Sequence, residues 1–337
     1  MKNKSSFILL VLILMASTKA LAQDPAFTQW ENMPLYFNPA LTGNFDGSLR
    51  IRAIHRNQWQ SLLGKSSYKT SGISADYKFP NGSARKISLG TFIIRDKAGS
   101  LDFRTTAIDF STSIVQNLGN PDKRFHSIAF GINVGLTTRK IDFENAQWPG
   151  GGPPPTDLND KTSYPDVSAG LLWQYRSNTH FSFNLGSALH HLNSPNISFS
   201  DSSVEKLYHR FNLHGYVEIP LVQKFSIVPS FLYSSQGPAE QLLFGFNNRW
   251  YTTSHNPNFV QLGFFAKTAK NYNGTDINIY VLSATAEINS FLFGFSFDRF
   301  EEIESNAYEF SVGYTFGVHG SKGTAINIGF PTPGIIP

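Results

Sequence analysis

The stretch FHSIAFGINVGLT, Phe125 to Thr137, decides what kind of fold this chain builds. Ile128, Phe130, Ile132, Val134 and Leu136 fall on one side of an extended strand. Ser127, Ala129, Gly131, Asn133, Gly135 and Thr137 fall on the other. A period of two with unlike faces is the mark of a β-strand whose two sides meet different surroundings. Phe291, Phe293, Phe295 and Phe297 alternate in the same way with Leu292, Gly294, Ser296 and Asp298. Tyr308, Phe310, Val312, Tyr314 and Phe316 alternate with Glu309, Ser311, Gly313, Thr315 and Gly317, and Phe211, Leu213, Val217 and Ile219 with Asn212, His214, Tyr216 and Glu218.

Two architectures carry such strands. A soluble sandwich or barrel turns the apolar face into its core; an outer-membrane barrel turns it outward to lipid and lines its lumen with the other face. Here the bulky faces are aromatic, and the opposite faces are mostly Gly, Ser, Ala, Asn and Thr rather than the Lys and Glu of a water-facing surface. Only 15% of residues are charged while 14% are aromatic. The pattern predicts an all-β, antiparallel outer-membrane barrel. It predicts fourteen strands at 48–59, 67–79, 86–97, 102–117, 125–141, 165–177, 179–192, 207–219, 225–236, 240–251, 258–270, 276–287, 291–300 and 308–317. The number is even, as in bacterial single-chain barrels. Tyr77, Phe79, Trp173, Tyr175, Trp250 and Tyr251 sit at segment ends, where aromatic girdles belong. If the chain starts on the periplasmic side, the two longest connections, Asp142 to Tyr164 and Asn193 to Lys206, face outside. The first carries the run Gly150-Gly151-Gly152-Pro153-Pro154-Pro155, which suits neither helix nor ladder and reads either as a flexible surface loop or as a contact for something outside the cell.

Residues 1–22 read as a signal peptide: Lys2 and Lys4, an apolar run from Phe7 to Ala16, and a small-x-small site at Ala20-Leu21-Ala22. That run is too short to span a bilayer as a helix. Removing Lys2, Lys4 and Lys19 from 28 basic residues leaves 25 against 24 acidic ones, so the net charge of +4 is largely the leader's. No basic cluster remains to track phosphates, and nucleic acid is not a partner. With no cysteine in the chain, disulfides, thiolate metal sites and a lipid-modified Cys are all excluded. Residues 23–47 form an irregular opening segment, 48–317 the barrel, and 318–337 a C-terminal tail.

Enzymatic chemistry finds no purchase. There is no H-E-x-x-H and no G-x-S-x-G, and Gly64-Lys65-Ser66 has Trp59 where a phosphate loop needs glycine. His190 and His191 close a strand, where neighbouring side chains face opposite ways and would not share a metal. Asp157, Asn159 and Asp160 lack the rest of a calcium loop. No catalytic residue, metal or cofactor is expected.

The first strand is more telling. Arg50, Arg52 and Arg56 lie opposite Leu49, Ile51 and Ala53. An arginine on the lipid face near the midplane costs about 2–4 kcal/mol, so these three must face the lumen and find acceptors there. Asp76, Asp109, Glu218 and the opening segment are the candidates. A fourteen-strand barrel leaves a lumen its wall side chains do not close by themselves. Gln23 to Gly43, dense in Pro, Asn and aromatics, is therefore expected to fold into it as a plug, or over its periplasmic mouth as a lid.

Gln23-Asp24-Pro25-x-Phe27-x-Gln29, then Tyr36-x-Asn38-Pro39-Ala40-x-x-Gly43, then Arg56-x-Gln58-Trp59 resemble the opening signature of the PorP/SprF family. Tyr164 to Leu172 and Tyr308 to Tyr314 resemble its mid-barrel and last-strand patterns, so the similarity spans the mature chain. His55 departs from the usual aromatic, and Val318 to Pro337 extend past the strand that tends to end the family's chains. The resemblance implies a non-enzymatic outer-membrane protein of the type IX secretion system of Bacteroidota. Its partners would be outer-membrane lipid, other type IX secretion components and a secreted, adhesin-like surface protein that it helps to export or attach, with a link to gliding motility. The alternative from the residues is a plugged channel for small hydrophobic or polar solutes.

Overall fold

The computed structural model describes residues 24–80, 85–99, 101–118, 124–143, 158–177, 181–252, 258–270, 276–301 and 305–317. The expected signal peptide at 1–22, Gln23, the Gly-Pro run and residues 318–337 lie outside the described residues. Fourteen strands form one closed antiparallel barrel in sequence order. They are β1 (Leu49–Gln58), β2 (Tyr68–Lys78), β3 (Arg85–Ala98), β4 (Phe103–Asn117), β5 (Arg124–Lys140), β6 (Lys161–Ser177), β7 (Ser182–His190), β8 (Arg210–Val222), β9 (Phe225–Gln236), β10 (Ala239–Tyr251), β11 (Phe259–Lys270), β12 (Asp276–Ile288), β13 (Phe291–Phe300) and β14 (Asn306–Phe316). The seam closes where β14 lies beside β1, with Arg56 opposite Glu309 and Arg52 opposite Gly313.

The faces sort as the alternation requires. Phe110, Phe130, Val134, Phe293, Phe310 and Val312 are exposed on the outer surface, while Ser127, Asn133, Ser296, Glu309 and Ser311 are buried on the inner one. This is an inside-out protein relative to a soluble barrel, and the outer ring of Phe, Leu, Ile and Val is suited to acyl chains. The inner face is not wholly polar. Ile54, Phe92, Ile94, Val115, Leu172, Val228, Leu232 and Val281 point inward and pack against the residues before β1 in one apolar cluster.

Several expected boundaries move. β6 starts at Lys161, four residues earlier than the alternation suggests, because its ladder with β5 runs out to the Lys140–Lys161 pair. β8 runs from Arg210 to Val222 rather than 207 to 219, continuing through Pro220 with a break in register. β7 is confined to Ser182–His190, because His191 adopts a left-handed φ of 61° and ends the extended run. That turn also overturns the expectation that His190 and His191 face opposite ways: both are buried toward the interior. Tyr251 does not join an outer girdle. It follows the outward Trp250, so strand alternation sends it inward, where its hydroxyl donates to Glu218.

Connections after odd-numbered strands gather at one mouth of the barrel, here the far mouth; those after even-numbered strands, with the start of β1, define the near mouth. The β5–β6 connection leaves after Lys140 and returns at Lys161 at the far mouth, where residues 191–209 also lie.

The orientation of the faces makes a direct prediction. Phe310 sits at the middle of β14 and is 57% exposed. Phe310→Arg should destabilise the folded protein in lipid vesicles by about 2–4 kcal/mol, and Leu221→Arg near the near-mouth rim by no more than about 1 kcal/mol. Urea titration of vesicle-inserted protein reads both, and equal costs would contradict the lipid-facing assignment.

Candidate functional site: the segment inside the barrel

Residues 24–48 lie within the lumen and touch walls on opposite sides of it. Asp24 is near the far mouth, where its backbone N–H donates to Gln236 at the end of β9. Ser48 is at the near mouth, where its N–H donates to the Phe316 carbonyl. The chain therefore runs down the inside of the barrel before turning into β1, so that β1 and not residue 24 starts at the near mouth, the side on which the start of the chain is expected from sequence. Its local structure is short and irregular, with one helical turn, α1 (Pro34–Phe37), and two 3-10 turns at Trp30–Asn32 and Pro39–Leu41. Pro34 and Pro39 each occupy a first helical turn, where a missing N–H costs nothing. Phe27, Met33, Leu35, Phe37 and Ala40 are essentially fully buried. The larger of them contribute about 1.5–3 kcal/mol each relative to exposure.

Backbone groups in such a segment have no ladder to satisfy them, and the wall supplies the partners. Glu309 accepts the N–H groups of Thr28 at 2.6 Å and Gln29 at 2.8 Å. The Gln29 side chain accepts from Asn32 and Ser311 and donates to the Glu309 carbonyl. Asn133 donates to the Leu35 carbonyl and Asn212 to that of Phe37. Tyr36 donates its hydroxyl proton to the Pro25 carbonyl at 2.7 Å, while Arg210 donates to the Tyr36 hydroxyl and carbonyl and stacks 4.4 Å from its ring.

Asn38-Pro39-Ala40 is the most closely fitted part. The Asn38 side-chain oxygen accepts the Ala40 N–H at 2.9 Å, capping the turn. Its amide nitrogen donates to the Leu171 and Ser187 carbonyls and approaches His214 Nε2 at 3.0 Å. Glycines open the wall here. A Cβ at Gly170 would lie 2.0 Å from the Asn38 oxygen, and one at Gly131 2.3 Å from the Pro39 carbonyl carbon. Gly43 is required twice over: its φ is +72°, and a Cβ there would lie 1.9 Å from Ser88 Oγ; its N–H reaches the Asp76 carboxylate at 2.7 Å.

The three arginines of β1 are all buried toward this segment. Arg50 meets Asp76 through two N–H groups, at 2.9 and 2.8 Å, and donates to the Leu41 and Asn44 carbonyls. Arg56 lies between Asp298 (2.8 Å) and Glu309, also donates to Thr28 Oγ1, and directs Nε to Gln58. Arg52 is looser, 3.9 Å from Glu287 and 3.4 Å from Thr315. Of the partners named from sequence, Asp76 takes Arg50. Glu218 instead pairs with Arg249, and Asp109 with neither. Asp298 and Glu309 were missed, although closure places the last strands beside the first and puts Glu309 directly across from Arg56. Trp59, just after β1, adopts a left-handed conformation and packs edge-on against Tyr68 and Phe300, at the margin of the apolar cluster that holds the inner segment.

At the far mouth, Asp24 joins Arg210 at 2.9 Å and His191 at 2.8 Å, and His191 reaches Asp166 with its other nitrogen, also at 2.8 Å. Burial disfavours the charged imidazole, but the two flanking carboxylates overcome it and raise His191 to about 9. Burial likewise opposes ionisation of Asp24, and His191 with Arg210 holds it well below the usual carboxylate range.

These contacts make two predictions. Arg56→Ala leaves Asp298 and Glu309 buried without their cation and should cost about 3–5 kcal/mol, read as a lowered urea midpoint in detergent; a change below about 1 kcal/mol would contradict the pairing. Because the folded-state pKa of His191 lies above its unfolded value near 6.5, its contribution is complete below that pH and is lost as pH rises through about 9. Hydrogen exchange in residues 24–30 should therefore gain protection loss between about pH 7 and 10 beyond the intrinsic rate increase, and His191→Gln should remove that extra pH dependence.

No curated protein sequence matches the chain. Among solved structures it is similar to the CymD monoaromatic hydrocarbon channel, at 8% identity and TM-score 0.52, over 86% of this chain and 94% of CymD. The Ralstonia pickettii toluene transporter TbuX gives 8% identity and TM-score 0.50 over the same shares. CdiB from Acinetobacter baumannii matches at 7% identity and TM-score 0.45, over 79% of this chain, which spans only 60% of CdiB. The first two likenesses establish an outer-membrane barrel fold and nothing about cargo. The family description "Type IX secretion system membrane protein PorP/SprF" matches residues 20–320. The chain belongs to the PorP/SprF family of type IX secretion system membrane proteins and resides in the outer membrane.

Proposed function

We propose that this protein is a plugged, non-enzymatic scaffold of the type IX apparatus, which holds a secreted surface protein at the outer membrane during export or attachment. The observation that carries the plug reading is the inner segment, which spans the lumen from far to near mouth and is tied to β1, β2, β5, β6, β8 and β14 by the contacts above. Beside its far-mouth end, around Asp24 and Pro25, two described spaces are small, about 10 and 50 Å³. A lumen occupied in this way suits a docking partner better than a conduit for solute. The docking surface is assigned to the far mouth, where the β5–β6 and β7–β8 connections leave the wall, and that mouth is taken to face outside. Around the second of these, Tyr164, Ile197 and Leu207 form a small apolar cluster of their own, which gives the surface a fixed base.

Two measurements test the reading. In planar bilayers the intact protein should conduct little, and Gly170→Val, which drives a side chain into Asn38, should raise conductance if the segment is the seal; unchanged conductance in a folded variant removes the plug. Because β6 already begins at Lys161, the loop is best shortened by replacing residues 144–157 with a short Gly/Ser linker. A pull-down from detergent-solubilised envelope should then lose the secreted partner while the barrel remains folded. Equal recovery would exclude this loop as the docking surface.

A further inference from the structure

Between the far-mouth end of the inner segment and strands β3 to β7 lies a cavity of about 50 Å³. Four carboxylates line it, Asp24, Asp96, Asp109 and Asp166, against two cationic side chains, Arg210 and His191. With His191 protonated, four against two leaves two uncompensated negative charges in an enclosed space. Three of the carboxylates are engaged. Asp24 and Asp166 share His191, Asp24 also holds Arg210, and Asp96 accepts from Thr70 at 2.6 Å. Asp109 is different. It is 6% exposed, and among the described residues its carboxylate has neither a hydrogen-bond nor an ion-pair partner. The wall is shaped around it: a Cβ on Gly135, its cross-strand neighbour, would lie 2.5 Å from the carboxylate carbon and oxygen. A buried, unpartnered carboxylate costs several kcal/mol unless it is neutralised or finds a cation.

We propose that this cavity binds a partly hydrated divalent metal cation, with Asp109 as its principal charged ligand. The donors on offer are oxygens, since the hydroxyls of Thr105, Thr137 and Tyr164 also line the space. Such a set favours a hard ion such as Ca²⁺ or Mg²⁺ over softer metals. Among the described residues, no three His, Asp or Glu side chains converge into a ready cage. The ion therefore keeps several waters, for which the volume leaves room for about three or four. Because Asp24 belongs to the inner segment and Asp96, Asp109 and Asp166 to the wall, a bound cation bridges the two and ties the segment's start to the barrel.

The test uses the full-length protein, purified in detergent and stripped with chelator, with Ca²⁺ alone as the probe in equilibrium dialysis and Mg²⁺ as competitor. One saturable Ca²⁺ per chain is expected, and Asp109→Asn should raise its Kd about tenfold or more. Asp96→Asn, which removes a negative charge without touching Asp109, should weaken binding to a smaller degree and serves if Asp109→Asn does not fold. Absence of saturable binding to the intact protein would mean that Asp109 simply holds a proton, and the proposal fails. An unchanged Kd in folded Asp109→Asn or Asp96→Asn overturns it equally.

Discussion

Arg56 and its two carboxylates hold the barrel seam and the inner segment together. Asp298 belongs to β13, Glu309 to β14 and Arg56 to β1, so this one cluster spans the seam at which the barrel closes. Glu309 also accepts the Thr28 and Gln29 N–H groups, so the charge that closes the seam fixes the inner segment as well. Buried ions of this kind contribute little net stability against an apolar replacement, yet are costly to break. Their consequence is specific placement: a guanidinium and two carboxylates, once buried, admit few alternative partners. Wall and segment are thereby made interdependent.

Around that cluster the two surfaces of the barrel divide the work. Outward, Phe, Leu, Ile and Val offer an apolar band that needs no internal partner because acyl chains supply one. Inward, glycines and short polar side chains leave space, and the segment fills it with Phe27, Met33, Leu35, Phe37 and Ala40. The interior therefore resembles a soluble core built from two sources, a thin contribution from the wall and a dense one from the chain that threads it. Asn38 shows how narrow the tolerance is, since it sits against wall glycines with no room for a methyl group.

The barrel was legible because a strand between lipid and lumen has two unlike faces, and an even count of such strands closes on itself. Arg50, Arg52 and Arg56 were legible as inward-facing for the same reason, charge being excluded from the lipid side. What alternation could not supply was contact across the barrel. Glu309 reads as one more inward residue until closure puts β14 beside β1. Arg210, His214 and Asn212 gain their roles only from a segment far earlier in the chain; Tyr36, for example, precedes Arg210 by 174 residues. His191 escaped because one left-handed residue breaks the period on which the reading of faces depends. Pro229 on β9 shows the converse: a residue without an N–H falls where the β8–β9 pairs skip from Tyr216–Ser230 to Ile219–Ile227, and the barrel accommodates the gap.

The central claim is that the residues before β1 lie inside the barrel in the membrane-embedded protein. The chain has no cysteine, so a pair can be placed without background. Thr42 and Ser111 bring their hydroxyls within 2.5 Å across the inner surface. Thr42→Cys combined with Ser111→Cys should form a disulfide in native outer membranes under mild oxidation, seen as a mobility shift that reductant reverses, while either single change remains monomeric and unshifted. If the double variant instead keeps two free thiols that an aqueous maleimide labels readily, the segment is not seated in the lumen and the account is wrong.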